Sequence, residues 1–87
     1  MEAIKEKLKP QIIEYLNLID VEPHEIGDEE PFFSEHGLGL DSIDSFELIV
    51  LLEREYGLKI EDPKIGREVL VNVNTMASYI KNNSAEA

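Results

Sequence analysis

With 87 residues the chain has room for one domain and one modest core, burying roughly 60–65% of the surface that the unfolded chain exposes. No apolar run approaches the ~20 residues needed to span a bilayer and the lysine-rich start has no signal-type hydrophobic stretch, so the expected setting is the cytoplasm without membrane insertion. A net charge of −11 makes nucleic acid a poor partner, and the lack of cysteine excludes disulfides and thiolate zinc sites, so any thiol must come from an added group.

Residues Glu2 to Leu18 read as a first helix, with Ile4, Leu8, Ile12, Tyr15 and Ile19 recurring every three or four positions. Pro10 interrupts the pattern and removes a backbone hydrogen bond. A kink near Lys9 is therefore expected, or a firm helix beginning at Pro10 itself. From Asp20 to Asp41 no long periodic segment follows, apart from a possible single turn at Pro23-His24-Glu25-Ile26. A connection of this length in a small domain is functional or closely packed. Ile26, Phe32, Phe33, Leu38 and Leu40 are apolar enough to pin it to the core, and both phenylalanines read as core anchors rather than ligand contacts. Gly27, Gly37 and Gly39 supply turns. His24 and His36 read as surface loop residues.

The next stretch, Gly39-Leu40-Asp41-Ser42-Ile43-Asp44, is a glycine-containing loop running into an amphipathic helix expected over Ser42 to Tyr56 and closed by Gly57. Asp41 is a good N-cap, and Asp44 adds a carboxylate in the first turn, where the helix dipole favours negative charge. Ser42 is thereby presented to solvent beside unpaired backbone N–H groups, a place that would favour a phosphate if one were attached. At 100° per residue, Leu48, Ile49, Leu52 and Tyr56 fall on one side as the core face. Ile43, Phe46 and Val50 cluster roughly opposite. Asp44 and Glu55 lie along one flank, with Glu47 bordering the second stripe on that side and Glu53 on the other.

That second stripe has two readings: core, if other helices wrap far enough round, or a docking surface with an apolar centre and charged rim. Its adjacency to a solvent-presented serine favours docking. Charge distribution agrees, because no Lys or Arg occurs between Lys9 and Arg54 while twelve Asp and Glu residues do. Such a surface suits a basic protein patch, although the acids could equally serve solubility alone.

Beyond Gly57 come Leu58-Lys59-Ile60 and a turn at Glu61-Asp62-Pro63, then a short third helix from Ile65 to Leu70. Asn72 caps a last helix expected from Val73 to Asn82, burying Val73, Met76, Ala77 and Ile80. Residues 83–87 read as a disordered tail. The fold expected is all-α: an antiparallel four-helix bundle, three longer helices and one short, with a long loop between the first two.

The run Leu38-Gly39-Leu40-Asp41-Ser42-Ile43-Asp44-Ser45-Phe46-Glu47-Leu48 resembles the signature of acyl carrier proteins, in which Asp-Ser-Leu/Ile-Asp precedes a hydrophobic acidic helix. Continuation through Leu52-Glu53-Arg54-Glu55-Tyr56-Gly57 and Ala77-Ser78-Tyr79-Ile80 is also similar, so the resemblance covers nearly the whole chain. It implies an acyl carrier domain over residues 1–82 whose Ser42 bears 4′-phosphopantetheine, attached from coenzyme A by a phosphopantetheinyl transferase, with a terminal thiol that holds acyl groups. It places the partner surface on Ile43, Asp44, Phe46, Glu47, Val50 and Glu53, flanked by Asp41. Implied partners are ketosynthase, acyltransferase or acyl-ligase type enzymes with basic docking patches, met by a monomeric carrier of fatty-acid, lipid or polyketide-type biosynthesis.

Several positions depart from the common pattern. Gly37-Leu38-Gly39-Leu40 replaces a shorter approach with alanine before the aspartate, Phe46 is bulkier than usual, and Arg54 stands where an acid is frequent. These point to a specialised lipid or polyketide-type pathway rather than the housekeeping fatty-acid carrier. A Gly-Gly-x-Ser approach is missing, so an aminoacyl cargo is not expected.

Enzyme readings fare worse. Ser42 lacks a Gly-x-Ser-x-Gly elbow and an evident general base, and no Asp-x-Asp-x-Asp-Gly loop offers a calcium site. The rival from another class is an unmodified acidic helical adaptor that binds a basic partner through its second helix.

Overall fold

The computed structural model describes residues 2–33 and 37–83. Four helices form the structure, α1 (Glu2–Leu16), α2 (Ser42–Tyr56), α3 (Pro63–Val69) and α4 (Val73–Asn83), and there is no strand among the described residues. The expected all-α bundle of three longer helices and one short one is what the chain adopts. Helix α1 packs against both α2 and α4, and α3 lies against α4.

Helix α1 runs unbroken through Pro10, correcting the expected firm start at that residue. Tertiary packing accounts for this: Leu8 is fully buried, and the Lys5 and Lys9 ammonium groups reach Asp28 at 3.2 and 2.8 Å. Pro10 and Glu6 are both exposed, so the carbonyl that the proline leaves unpaired meets water. The helix ends at Leu16, two residues before the expected limit. Asn17 takes the left-handed conformation (φ 53°), and the Leu18 N–H closes onto the Ile13 carbonyl at 3.0 Å in a Schellman-type stop. Ile19 therefore falls outside the helix and is 85% exposed, not part of the core as its spacing suggested.

The connection to α2 is closely packed. Its expected single turn is a 3-10 helix at Pro23–Glu25, followed by fully buried Ile26. The Asp28 carbonyl accepts from the Asn74 N–H of α4 at 3.0 Å, so this one residue ties the loop to α1 by its side chain and to α4 by its backbone. Phe32 is buried, donates its N–H to the Val71 carbonyl and accepts from the Leu40 N–H at 2.8 Å. A Cβ at Gly37 would overlap the Pro31 carbonyl oxygen, so the loop closes on itself only with glycine there. His24 is exposed, as expected for a loop residue; His36 and the tail residues 84–87 lie outside the described residues.

The core joins Leu8 and Ile12 of α1, Leu48, Leu51 and Leu52 of α2, and Val73, Met76, Ala77 and Ile80 of α4. The α4 set is the one read from spacing. Helix α4 starts in a reciprocal cap in which Asn72 Oδ1 accepts from the Thr75 N–H at 2.9 Å and Thr75 Oγ1 accepts from the Asn72 N–H at 3.0 Å. It continues to Asn83, one residue beyond the expected end. Helix α3 begins at Pro63 rather than Ile65, because Asp62 accepts from the Lys64 N–H at 2.9 Å and proline is well suited to a first helical position.

Candidate functional site

The start of α2 is fixed by its own sequence. Asp41 is extended (φ −113°, ψ −172°), and its Oδ1 accepts from the Ile43 and Asp44 N–H groups at 3.0 and 3.1 Å. Asp44 returns a bond from its Oδ2 to the Asp41 N–H at 3.1 Å, completing a capping box. The aspartates thus occupy N–H groups that were expected to stand free beside the serine. Ser42 follows as the first helical residue, exposed, with no described residue hydrogen-bonded to its hydroxyl; its carbonyl accepts from Ser45 Oγ at 2.8 Å. At the other end Gly57 (φ 68°) donates to the Glu53 carbonyl and closes the helix at the expected residue.

The two faces of α2 separate as their spacing indicated. Leu48 and Leu52 are fully buried, with Ile49 and Tyr56 packed partly against the core; Leu51, unassigned by the angular reading, is fully buried too. On the other face Ile43 is 71% and Phe46 63% exposed, while Val50 is half-buried and outside the core. Asp41 and Glu53 are exposed beside this stripe, and Asp44 and Glu47 are half-buried. Exposure of this isoleucine and phenylalanine one turn apart rules out the alternative in which other helices wrap round and bury them as core.

On the flank of α2 towards α3, a groove of about 680 Å³ opens directly beside Ser42. Leu40, Ile49, Ile60 and Leu70 give it an apolar lining, and Arg67 is the one cation on its wall among the described residues. Phe33 also borders it. That residue is 42% exposed, which corrects its expected role as a core anchor. Its neighbour Phe32 is the anchor and holds the Phe33 ring edge-on at 6.3 Å. Spacing did not reveal this groove, because it depends on how the irregular 58–62 segment places α3. Gly66 is the clearest hint: it is buried, and an added Cβ would sit 3.6 Å from the Ile60 side chain.

A polar seam joins α1 and α2. Tyr15 donates to Glu55 at 2.7 Å and its hydroxyl pKa is raised, mainly by that bond; Tyr56, whose pKa is raised mainly by burial, donates to Gln11 at 2.6 Å. No group of three or more His, Cys, Asp or Glu residues able to hold a metal occurs among the described residues, nor any helix long and apolar enough to cross a membrane.

A capped helix thus presents an exposed serine beside a groove on an acidic four-helix scaffold. Residues 6–80 match the family described as "Phosphopantetheine attachment site". The chain is 31% identical over 84 residues to the acyl carrier proteins of Bradyrhizobium sp. (strain ORS 278) and Rhodopseudomonas palustris (strain TIE-1), covering 97% of this chain and 98% of each relative. It is 33% identical over 81 residues to that of Wolinella succinogenes, covering 93% and 97%. The chain belongs to the acyl carrier protein family, whose prosthetic group is 4′-phosphopantetheine and whose members carry rather than catalyse.

Proposed function

We propose that Ser42 is the residue on which this chain bears 4′-phosphopantetheine, and that the protein carries acyl intermediates between enzymes of a fatty-acid, lipid or polyketide-type pathway. The observation that carries this reading is the position of Ser42: exposed, first in α2, its hydroxyl not engaged by any described residue while Asp41 does the capping. The surroundings fit such a group, since a hydroxyl without a structural task is open to modification and the adjoining groove offers room for an attached chain. When attached, the group supplies a terminal thiol that holds acyl chains as thioesters.

What the chain itself contributes is presentation and docking. In this reading Ile43, Phe46 and Val50 form the apolar centre that meets a partner, and Asp41, Asp44, Glu47 and Glu53 steer basic patches towards it. Partners of this kind are a phosphopantetheinyl transferase and ketosynthase, acyltransferase or acyl-ligase type enzymes. Docking turns delivery of a Ser42-borne chain into an encounter at high effective concentration. The groove between α2 and α3 shelters apolar cargo, each buried methylene contributing about 0.8 kcal/mol. One carrier domain extends through α4, working in the cytoplasm as a monomer. The exposed Phe46 and the exposed cation Arg54 support a dedicated set of partners, and hence a specialised pathway.

Coexpression with a phosphopantetheinyl transferase tests the assignment. Intact mass should increase by one phosphopantetheine for the native chain and stay unchanged for Ser42→Ala. An unmodified native chain under conditions that load other carriers would favour the acidic adaptor instead.

A further inference from the structure

Among the residues around the groove, Arg67 stands apart. Asp41 and Asp62, which share the groove's rim, spend their carboxylates on capping α2 and α3. Ion pairs among the described residues are confined to Lys5 and Lys9 with Glu2 and Asp28, and the Arg67 guanidinium is hydrogen-bonded to no described residue. An exposed guanidinium with five N–H donors and no protein acceptor thus borders a groove that is apolar at Leu40, Ile49, Ile60 and Leu70 and acidic along its rim.

We propose that Arg67 is a specificity-determining residue, and that the groove favours acyl chains bearing a neutral carbonyl oxygen over plain alkyl chains. This rests on Ser42 being the attachment residue, since a tethered chain is then the groove's nearest occupant. A guanidinium donates only, so the cargo must supply an acceptor. An anionic cargo is disfavoured because Asp41, Glu61 and Asp62 ring the same groove in a chain of net charge −11. A neutral oxo group meets the donor without that repulsion, while Leu40, Ile49, Ile60 and Leu70 cover the methylenes on either side. The phosphate of the arm is the other conceivable acceptor, but it would be bonded to Ser42 on α2. Arg67 belongs to the wall that α3 supplies, next to Gly66.

The full chain is loaded at Ser42 with amide-linked analogues bearing no acyl group, octanoyl, 3-oxo-octanoyl or 5-oxo-octanoyl, and each is melted as native protein, Arg67→Met and Arg67→Lys. Methionine keeps an apolar stem over the groove and removes the charge, and an exposed side chain with no hydrogen bond leaves little to unfold. At least one oxo form of the native chain should melt about 4 °C above the octanoyl form. That increment should vanish in Arg67→Met and return in part in Arg67→Lys. Equal midpoints for oxo and alkyl cargo in the native chain, or an increment that survives in Arg67→Met, would overturn the role of Arg67. So would an Arg67→Met effect as large on the bare arm as on the oxo forms, which would assign the guanidinium to the phosphate. Failure to load Ser42 at all is visible by mass before any melt and would overturn the attachment reading as well.

Discussion

Capping of α2 predicts an order of stabilities that bears directly on what Ser42 is for. Asp41→Ala removes two bonds to the first-turn N–H groups and leaves only the return bond from the residue-41 backbone N–H to Asp44. Loss of such a cap costs about 1–2 kcal/mol, and loss of the favourable charge at the helix N-terminus adds roughly 0.3–1 kcal/mol. For a domain of this size ~1 kcal/mol moves the thermal midpoint by about 4–8 °C, so a fall on the order of 5–24 °C is expected. Asp41→Asn keeps the acceptor and loses only the charge, so its fall should be no more than about a third of that. Ser42→Ala removes a hydroxyl without a described partner and should stay within ~0.5 kcal/mol of the native chain. Differential scanning calorimetry of the unloaded proteins reads all three. If Ser42→Ala melts as low as Asp41→Ala, the hydroxyl is part of the fold and the argument that it is free for attachment fails.

Consecutive phenylalanines should behave as opposites: Phe32→Ala should cost about 3–5 kcal/mol in urea unfolding, and Phe33→Ala, losing one exposed ring contact, about 1 kcal/mol or less; comparable losses would contradict the assignment of Phe32 as the anchor. The pKa of Asp28 is lowered, chiefly by its bond from Lys9 and further by Lys5, against the opposing effect of partial burial. Its contribution to stability is therefore present above the ordinary carboxylate value of 3.8 and lost as pH falls through its lower value in the fold. Asp28→Asn should lower the midpoint at neutral pH and flatten the acid limb of a stability–pH curve, whereas an acid limb of native slope would place the titrating clamp elsewhere. Replacing Glu47 or Glu53 with Lys should slow association with a basic partner enzyme, more so at low salt, because exposed charges are screened over ~8 Å at physiological ionic strength. Association rates unchanged at every salt concentration would leave the acids a role in solubility alone.

Helices α2 and α4 were legible in the sequence nearly to the residue, because in both the local signals agree: a capping side chain, a helical apolar period and, for α2, a terminal glycine. Helix α1 starts at Glu2 as its spacing indicated, but the reading erred at Pro10 and in the last turn. The cost of Pro10 is a local quantity, and it is overridden by packing and by a lysine–aspartate clamp whose partners are 19 and 23 residues apart. Ile19 kept the right period but lay beyond a left-handed Asn17 that no spacing rule marks. The second apolar stripe was readable because exposure of Ile43 and Phe46 follows from one helix carrying two apolar faces. The groove was not readable, since Phe33, Ile60 and Arg67 come together only through irregular segments, and Phe33 differs from Phe32 in which way its ring faces rather than in composition.

The most direct test is peptide mapping by tandem mass spectrometry after loading with coenzyme A and a phosphopantetheinyl transferase. The account predicts a single phosphopantetheine on the peptide that contains Gly39 to Leu48, with fragment ions placing it on Ser42 and leaving Ser45 bare. Modification at Ser45 or elsewhere in the chain, with Ser42 untouched, would contradict it.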